Sequence, residues 1–153
     1  MIDEINKKFF TQTLNDWALK FVGAIHARRN VSQYEKVEID SLIGQTIRHI
    51  GFDQWSLQFV TDEFSYLLKH NQECCENVYI EDITGDLSDL IDQIIMKAEC
   101  REDSGWKAEV REQHTYTFYH LATVKGYVDI RFNGISNGSY STSVDIIRKT
   151  ISD

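Results

Sequence analysis

The stretch Thr115-Tyr116-Thr117-Phe118-Tyr119-His120-Leu121-Ala122-Thr123-Val124-Lys125-Gly126-Tyr127-Val128-Asp129-Ile130-Arg131-Phe132 decides the fold of this chain. β-branched and aromatic side chains dominate it, the composition that suits a pleated surface packed against neighbours. It reads as two strong strands, Thr115 to Val124 and Tyr127 to Phe132, turned by Lys125-Gly126. Upstream, Gln45 to Ile50, Trp55 to Val60 and Glu63 to Lys69 read as three successive strands. Gly51-Phe52-Asp53-Gln54 and Thr61-Asp62 supply the breaks between them. Val78-Tyr79-Ile80 is a further strand candidate, closed by Thr84-Gly85-Asp86. Leu87 to Leu90 reads as a brief helical turn with Ser88 and Asp89 supplying capping oxygens. Ile91 to Ala98 fits a strand or a continuation of that turn, and residues 101 to 110 a polar loop or hairpin tip. Downstream, Asn133-Gly134 and Asn137-Gly138 are pairs favoured where the chain needs positive φ, and Tyr140 to Ile147 can close the sheet.

The N-terminal part has a different texture. Ile5, Phe9, Phe10, Leu14, Trp17, Ala18, Phe21, Val22 and Ile25 recur mostly at spacings of three and four, which predicts one amphipathic helix over residues 3 to about 28. Asp3 and Glu4 suit its start and Arg28 and Arg29 its end, each complementing the helix dipole. Its broad aromatic stripe suits one face of a sheet, or a helix–helix partner interface. Val31 to about Ile39 reads as a polar connector. The expected fold is therefore α+β: a long N-terminal amphipathic helix packed on a mostly antiparallel, curved β-sheet. A single domain spans residues 1–153, with the helix in 1–30 and mainly antiparallel sheet in 42–150.

Charge narrows the function classes. The 153 residues carry a net charge of −8 with an ordinary hydrophobic fraction of 42%. The charge is uneven: residues 62 to 103 hold twelve acids against Lys69, Lys97 and Arg101, a local balance of −9. Residues 1 to 36 balance at +2. A protein that neutralises nucleic-acid phosphates wants clustered Lys and Arg, so direct nucleic-acid binding is disfavoured and a partner with a basic surface favoured. No apolar run approaches the ~20 residues that cross a bilayer, and the N-terminus lacks a signal-peptide layout. Three cysteines, two of them adjacent, do not read as a disulfide framework, which points to a reducing cytoplasm, that of a bacterial host cell.

Chemistry could concentrate in His70-Asn71-Gln72-Glu73-Cys74-Cys75-Glu76 and the carboxylates that follow. A structural zinc site closes four ligands, often from Cys-x-x-Cys pairs. On an extended segment Cys74 and Cys75 would point to opposite faces, so both can hardly reach one ion. A nucleophilic thiol needs a base and a lowered pKa, which acidic surroundings oppose. Glu81, Asp82, Asp86 and Asp89 could offer oxygens to a hard cation, but their spacing does not match a calcium loop, and a solvated acidic edge accounts for each. Trp55, Tyr66, Tyr116, Phe118, Tyr119, Tyr127 and Tyr140 fit core and cross-strand positions better than a ligand pocket. The Ser136-Asn137-Gly138-Ser139-Tyr140-Ser141 loop is a candidate binding tip. No catalytic residue, metal ligand or cofactor is assigned.

The block Cys74-Cys75-Glu76-x-Val78, Glu81-Asp82-x-x-Gly85-Asp86-x-x-Asp89-Leu90 resembles an uncharacterised domain family common in bacteriophages and prophages. Tyr116-Thr117-Phe118-Tyr119, Ala122-Thr123-x-Lys125-Gly126, Arg131 and Ser136-Asn137-Gly138-x-Tyr140-Ser141 extend the resemblance over about residues 44 to 146. This chain departs from the family pattern at Ser139, where an aromatic is usual, and at Phe132, where tryptophan is common. The phage-associated resemblance, the small single domain, the local acidity and the missing catalytic constellation together point to a phage- or prophage-encoded, non-enzymatic acidic protein that binds and inhibits a host defence factor, in the manner of an anti-CRISPR. Nucleic-acid mimicry is the expected mechanism, with Glu76, Glu81, Asp82, Asp86, Asp89 and Asp92 as the partner-binding residues. The expected partner is a nucleic-acid-binding effector with a basic surface, and a homodimer is compatible with the chain. The alternative is a metal- or small-ligand-binding domain or enzyme centred on His70, Cys74, Cys75 and nearby carboxylates.

Overall fold

Along Glu112–Thr123 the residues Thr115, Thr117, Tyr119, Leu121 and Thr123 are buried and the intervening ones half-buried. This period of two is that of a strand with one face in a core. The computed structural model describes residues 2–11 and 34–151. Their strands are β1 (Tyr34–Val37), β2 (Ile47–Phe52), β3 (Ser56–Thr61), β4 (Phe64–Lys69), β5 (Asn77–Thr84), β6 (Lys97–Lys107), β7 (Glu112–Thr123), β8 (Gly126–Ser136) and β9 (Asp145–Thr150). They form a five-stranded sheet in the order β1-β9-β4-β3-β2 and a four-stranded sheet in the order β5-β8-β7-β6. Every strand pair in both sheets is antiparallel.

One apolar cluster joins the sheets. Phe52, Leu57, Phe59, Tyr66, Leu68 and Ile146 come from the first sheet and Ile80, Ile83, Tyr119, Leu121, Ile130 and Phe132 from the second. Tyr119 and Phe132 meet edge to face, with ring centroids 6.0 Å apart. The result is a β-sandwich, two sheets sharing a core. The chain crosses to the four-stranded sheet between β4 and β5 and returns between β8 and β9.

The α+β expectation is thereby overturned: among the described residues there is no α-helix, only the 3₁₀ turns Glu4–Phe9, Ile39–Leu42 and Leu87–Leu90. The helix expected from residue 3 stops at Phe10, which is extended at φ −75° and ψ 132° and bridges Phe52. Residues 12–28 of that expectation lie outside the described residues. The apolar stripe misled for a physical reason. Asn6, not its apolar neighbours, is the fully buried residue of this segment, whereas Ile5 and Phe10 are about half exposed. The Asn6 amide donates to the Gly85 carbonyl at 2.7 Å and accepts from the Leu87 N–H at 2.8 Å. A polar clamp holds the segment down, with Ile2 and Phe9 packed against the core beside it.

The strand expectations fare better. β2, β3 and β4 fall within two residues of the predicted runs, and Leu87–Leu90 is the predicted turn, capped by the Asp86 carboxylate. The polar connector contains β1 and runs into the 3₁₀ turn Ile39–Leu42, and the predicted tip at 101–110 is mostly strand β6. Asn133-Gly134 is no turn but lies within β8. There a Cβ on Gly134 would sit 2.5 Å from the Thr142 Cβ, so glycine admits a crossing chain. Asn137-Gly138 does turn, with Gly138 at φ 98°.

Candidate functional site

The six predicted partner-binding acids separate into different environments. Glu76 is buried, and its carboxylate accepts from His70 Nε2 at 2.6 Å, from the Glu73 N–H at 2.9 Å and from the Cys74 N–H at 2.8 Å. The His70 hydrogen bond, helped by these backbone donors, pulls its pKa down to about 2. Its charge is spent inside the fold and is not presented to a partner. Glu81 and Asp82 sit where β5 shifts register against β8, and Glu81 pairs with Arg131 at 2.8 Å. Asp86 caps the 3₁₀ turn by accepting from the Ser88 N–H at 2.9 Å. Asp89 rises from that turn beside Gly126. Asp92 is exposed and shares Arg48 with Asp62, each contact being 3.1 Å. The Arg48 guanidinium holds the Asp62 carboxyl below its usual range. The acids thus form a broken rim along β5 and the following turn, interleaved with arginines.

The loop 70–76 is a closed unit. His70 Nδ1 lies 2.6 Å from the Ser143 carbonyl and Nε2 faces the Glu76 carboxylate, so both ring nitrogens meet acceptors. Cys74 and Cys75 are joined by a disulfide, where the sequence had placed their side chains on opposite faces of a strand. The segment is loop, not strand, which frees the two side chains to meet. The proposed ligand set of His70, Cys74 and Cys75 is therefore engaged internally: the sulfurs with each other, the imidazole with Glu76 and Ser143.

A concavity of about 530 Å³ opens on the outer face of the four-stranded sheet. Asp82, Lys97, Arg101, Phe118, His120, Asp129 and Arg131 are among the residues that line it. Adjacent outward positions of β7 carry His114, Tyr116 and Phe118, tilted rings with centroids 6.3 and 6.5 Å apart. Arg101 lies over Phe118 at 4.8 Å, and His120 lies 5.4 Å from the Tyr127 ring. His120 Nδ1 meets Asp129 Oδ1 at 2.6 Å across the β7–β8 pair, which fixes the ring and turns Nε2 away from the carboxylate. Four buried polar side-chain atoms without a hydrogen-bond partner belong to this sheet: His114 Nδ1, Thr117 Oγ1, Arg131 Nε and Asn133 Oδ1.

The aromatic set divides accordingly. Tyr66 and Tyr119 are core, as expected, while Tyr116 and Phe118 stand on the open face and Trp55 and Tyr127 are about half exposed. Burial pushes the Tyr119 phenol and the Cys100 thiol up in pKa, and neighbouring carboxylates add to this, so Cys100 is held as a thiol. The His120–Asp129 pair escaped the sequence reading although its signal was there. The Lys125-Gly126 turn sets Thr123 opposite Gly126, and counting back places His120 opposite Asp129.

The model of a family described as a domain of unknown function, DUF7448, matches residues 32–146. No curated protein and no solved structure matches the chain.

Proposed function

The chain belongs to the DUF7448 family, and we propose that it acts by binding, as a phage- or prophage-encoded inhibitor that docks on the basic surface of a nucleic-acid-handling host defence protein. The observation that carries this is the excess of acid over base, −9 across residues 62 to 103, set on a rigid sandwich. In chain order from β5 through and past the 3₁₀ turn, Asp82, Asp86 and Asp89 are half-buried and Asp92 is exposed. Arg48 and Arg131 break the row, so the field steers a basic partner more than it copies the regular spacing of a phosphate chain. Glu76 has no part in the contact.

Affinity capture from a bacterial lysate expressing defence systems tests the proposal. The wild-type chain should retain one nucleic-acid-binding effector at near-equal amount. A chain carrying Asp82→Asn, Asp89→Asn and Asp92→Asn should lose it, and added salt should release it. Retention by the triple variant, or indifference to salt, would overturn the proposal.

The orphaned Arg131 Nε, on a residue that lines the open-face concavity, favours a second reading, a small polar ligand bound there. Such a ligand would need an acceptor to meet the Arg131 Nε–H. A library of neutral polyhydroxylated compounds, screened by thermal shift against wild type and Arg131→Met, decides it. Stabilisation of the wild type alone supports this reading, and equal response or none removes it.

A further inference from the structure

Sheet edges expose unpaired backbone donors and acceptors, and folded proteins usually blunt them by shortness, bulges or cover. Three of the four edges here are treated in that way. β1 is a strand of four residues. β2 is bulged between Ile47 and His49 and bridged by Phe10 and Ile91. β5 is bulged between Ile80 and Asp82. β6 differs. It runs for eleven residues in unbroken register with β7, from Lys97 opposite Ala122 to Lys107 opposite Glu112. Residues 99 to 110 are all exposed, and the segment has no proline.

We infer that the β6 edge pairs with the β6 edge of a second copy of this chain, antiparallel and about a two-fold axis at Cys100, joining two four-stranded sheets into one. The occupant follows from charge. Lys97, Glu99, Arg101 and Asp103 alternate in sign along the open face of β6. In an antiparallel pair, directly opposite residues point to the same side of the sheet. Centring the axis on Cys100 sets Lys97 opposite the second copy's Asp103 and Glu99 opposite its Arg101, and symmetry repeats both pairs. On the other side Ala98 meets Glu102 and Cys100 meets itself.

Neighbouring registers are penalised. An axis at residue 101 sets Glu99 against Asp103 and Arg101 against itself. One at residue 99 sets Lys97 against Arg101 and Glu99 against itself. One at residue 102 sets Lys97 against Lys107 and Glu102 against itself. A single register matches every opposite charge, as a self-complementary two-fold interface requires. The alternating charges that would repel an unrelated strand therefore select a second copy.

Sedimentation of the full chain over a range of concentrations tests this. The wild type should show a monomer–dimer equilibrium. Arg101→Glu should weaken the dimer about tenfold by facing Glu99, and the swap Glu99→Arg with Arg101→Glu should restore it. A short bismaleimide at mildly alkaline pH should join Cys100 to Cys100, and Cys100→Ser should abolish the product. A chain that stays monomeric throughout, or a dimer that Arg101→Glu leaves intact, would overturn the inference. Rescue by the charge swap separates a lost interface from a misfolded hairpin.

Discussion

Glu76 shows how one buried carboxylate can organise a loop. Its three donors come from His70, Glu73 and Cys74, so the charge is matched by hydrogen bonds and not by water. Because its pKa falls to about 2 from an ordinary value of 4.5, the unfolded chain takes up the proton first as pH drops. The stabilisation is complete above about pH 4.5 and is lost as pH falls towards 2. Glu76→Gln should therefore flatten the loss of urea stability between pH 5 and pH 3 relative to wild type. Equal slopes for the two proteins would contradict the assignment. Gly134 makes a second test at this scale. Gly134→Ala forces a Cβ into the Thr142 side chain and should cost about 1–3 kcal/mol, read as a shift of the denaturation midpoint. Thr142→Gly in the same chain should recover most of it.

Elements were legible where one face is buried and illegible where neither is. β7 and β8 announce themselves by alternation, since each has a core side and an open side. β6 beyond Ala98 is exposed on both sides, so its sequence carries no period and reads as loop. β3 is the opposite case, buried at all six positions, and its short segment between turn breaks was read as a strand. The N-terminal segment failed because periodicity counts apolar residues and cannot register a buried asparagine. Asn6→Ala leaves the Leu87 N–H without its acceptor and should destabilise the domain by about 1–3 kcal/mol. Hydrogen exchange should quicken first at Leu87. Of the site, the half-buried acids of β5 and the 3₁₀ turn were legible from composition. The burial of Glu76 was not, since it depends on His70 arriving from the end of β4.

At the scale of the whole molecule, charge and architecture divide the work. The sandwich core fixes the two sheets, and the acidic rim and the β6 edge lie on separate parts of its periphery. No helix among the described residues is long and apolar enough to cross a membrane. With a net charge of −8, association with a basic partner should be fast at low salt and slow steeply as screening shortens the range of the field. Stopped-flow measurement of the captured effector's on-rate against ionic strength checks this, and a flat dependence would remove steering from the account.

The crossing between sheets has a consequence for the order of folding. The four-stranded sheet is one uninterrupted stretch of chain, spliced between β4 and β9, which are themselves neighbours paired from Phe64–Thr150 to Lys69–Asp145. Closing that pair before the spliced segment has condensed would mean closing a long loose loop. The β7–β8 hairpin, joined by a tight turn, can form without that penalty. β9 then zips last between β1 and β4, drawn in when Ser143 reaches the His70 ring. Ile130→Val should accordingly slow folding, while Ile146→Val should act mainly by hastening unfolding.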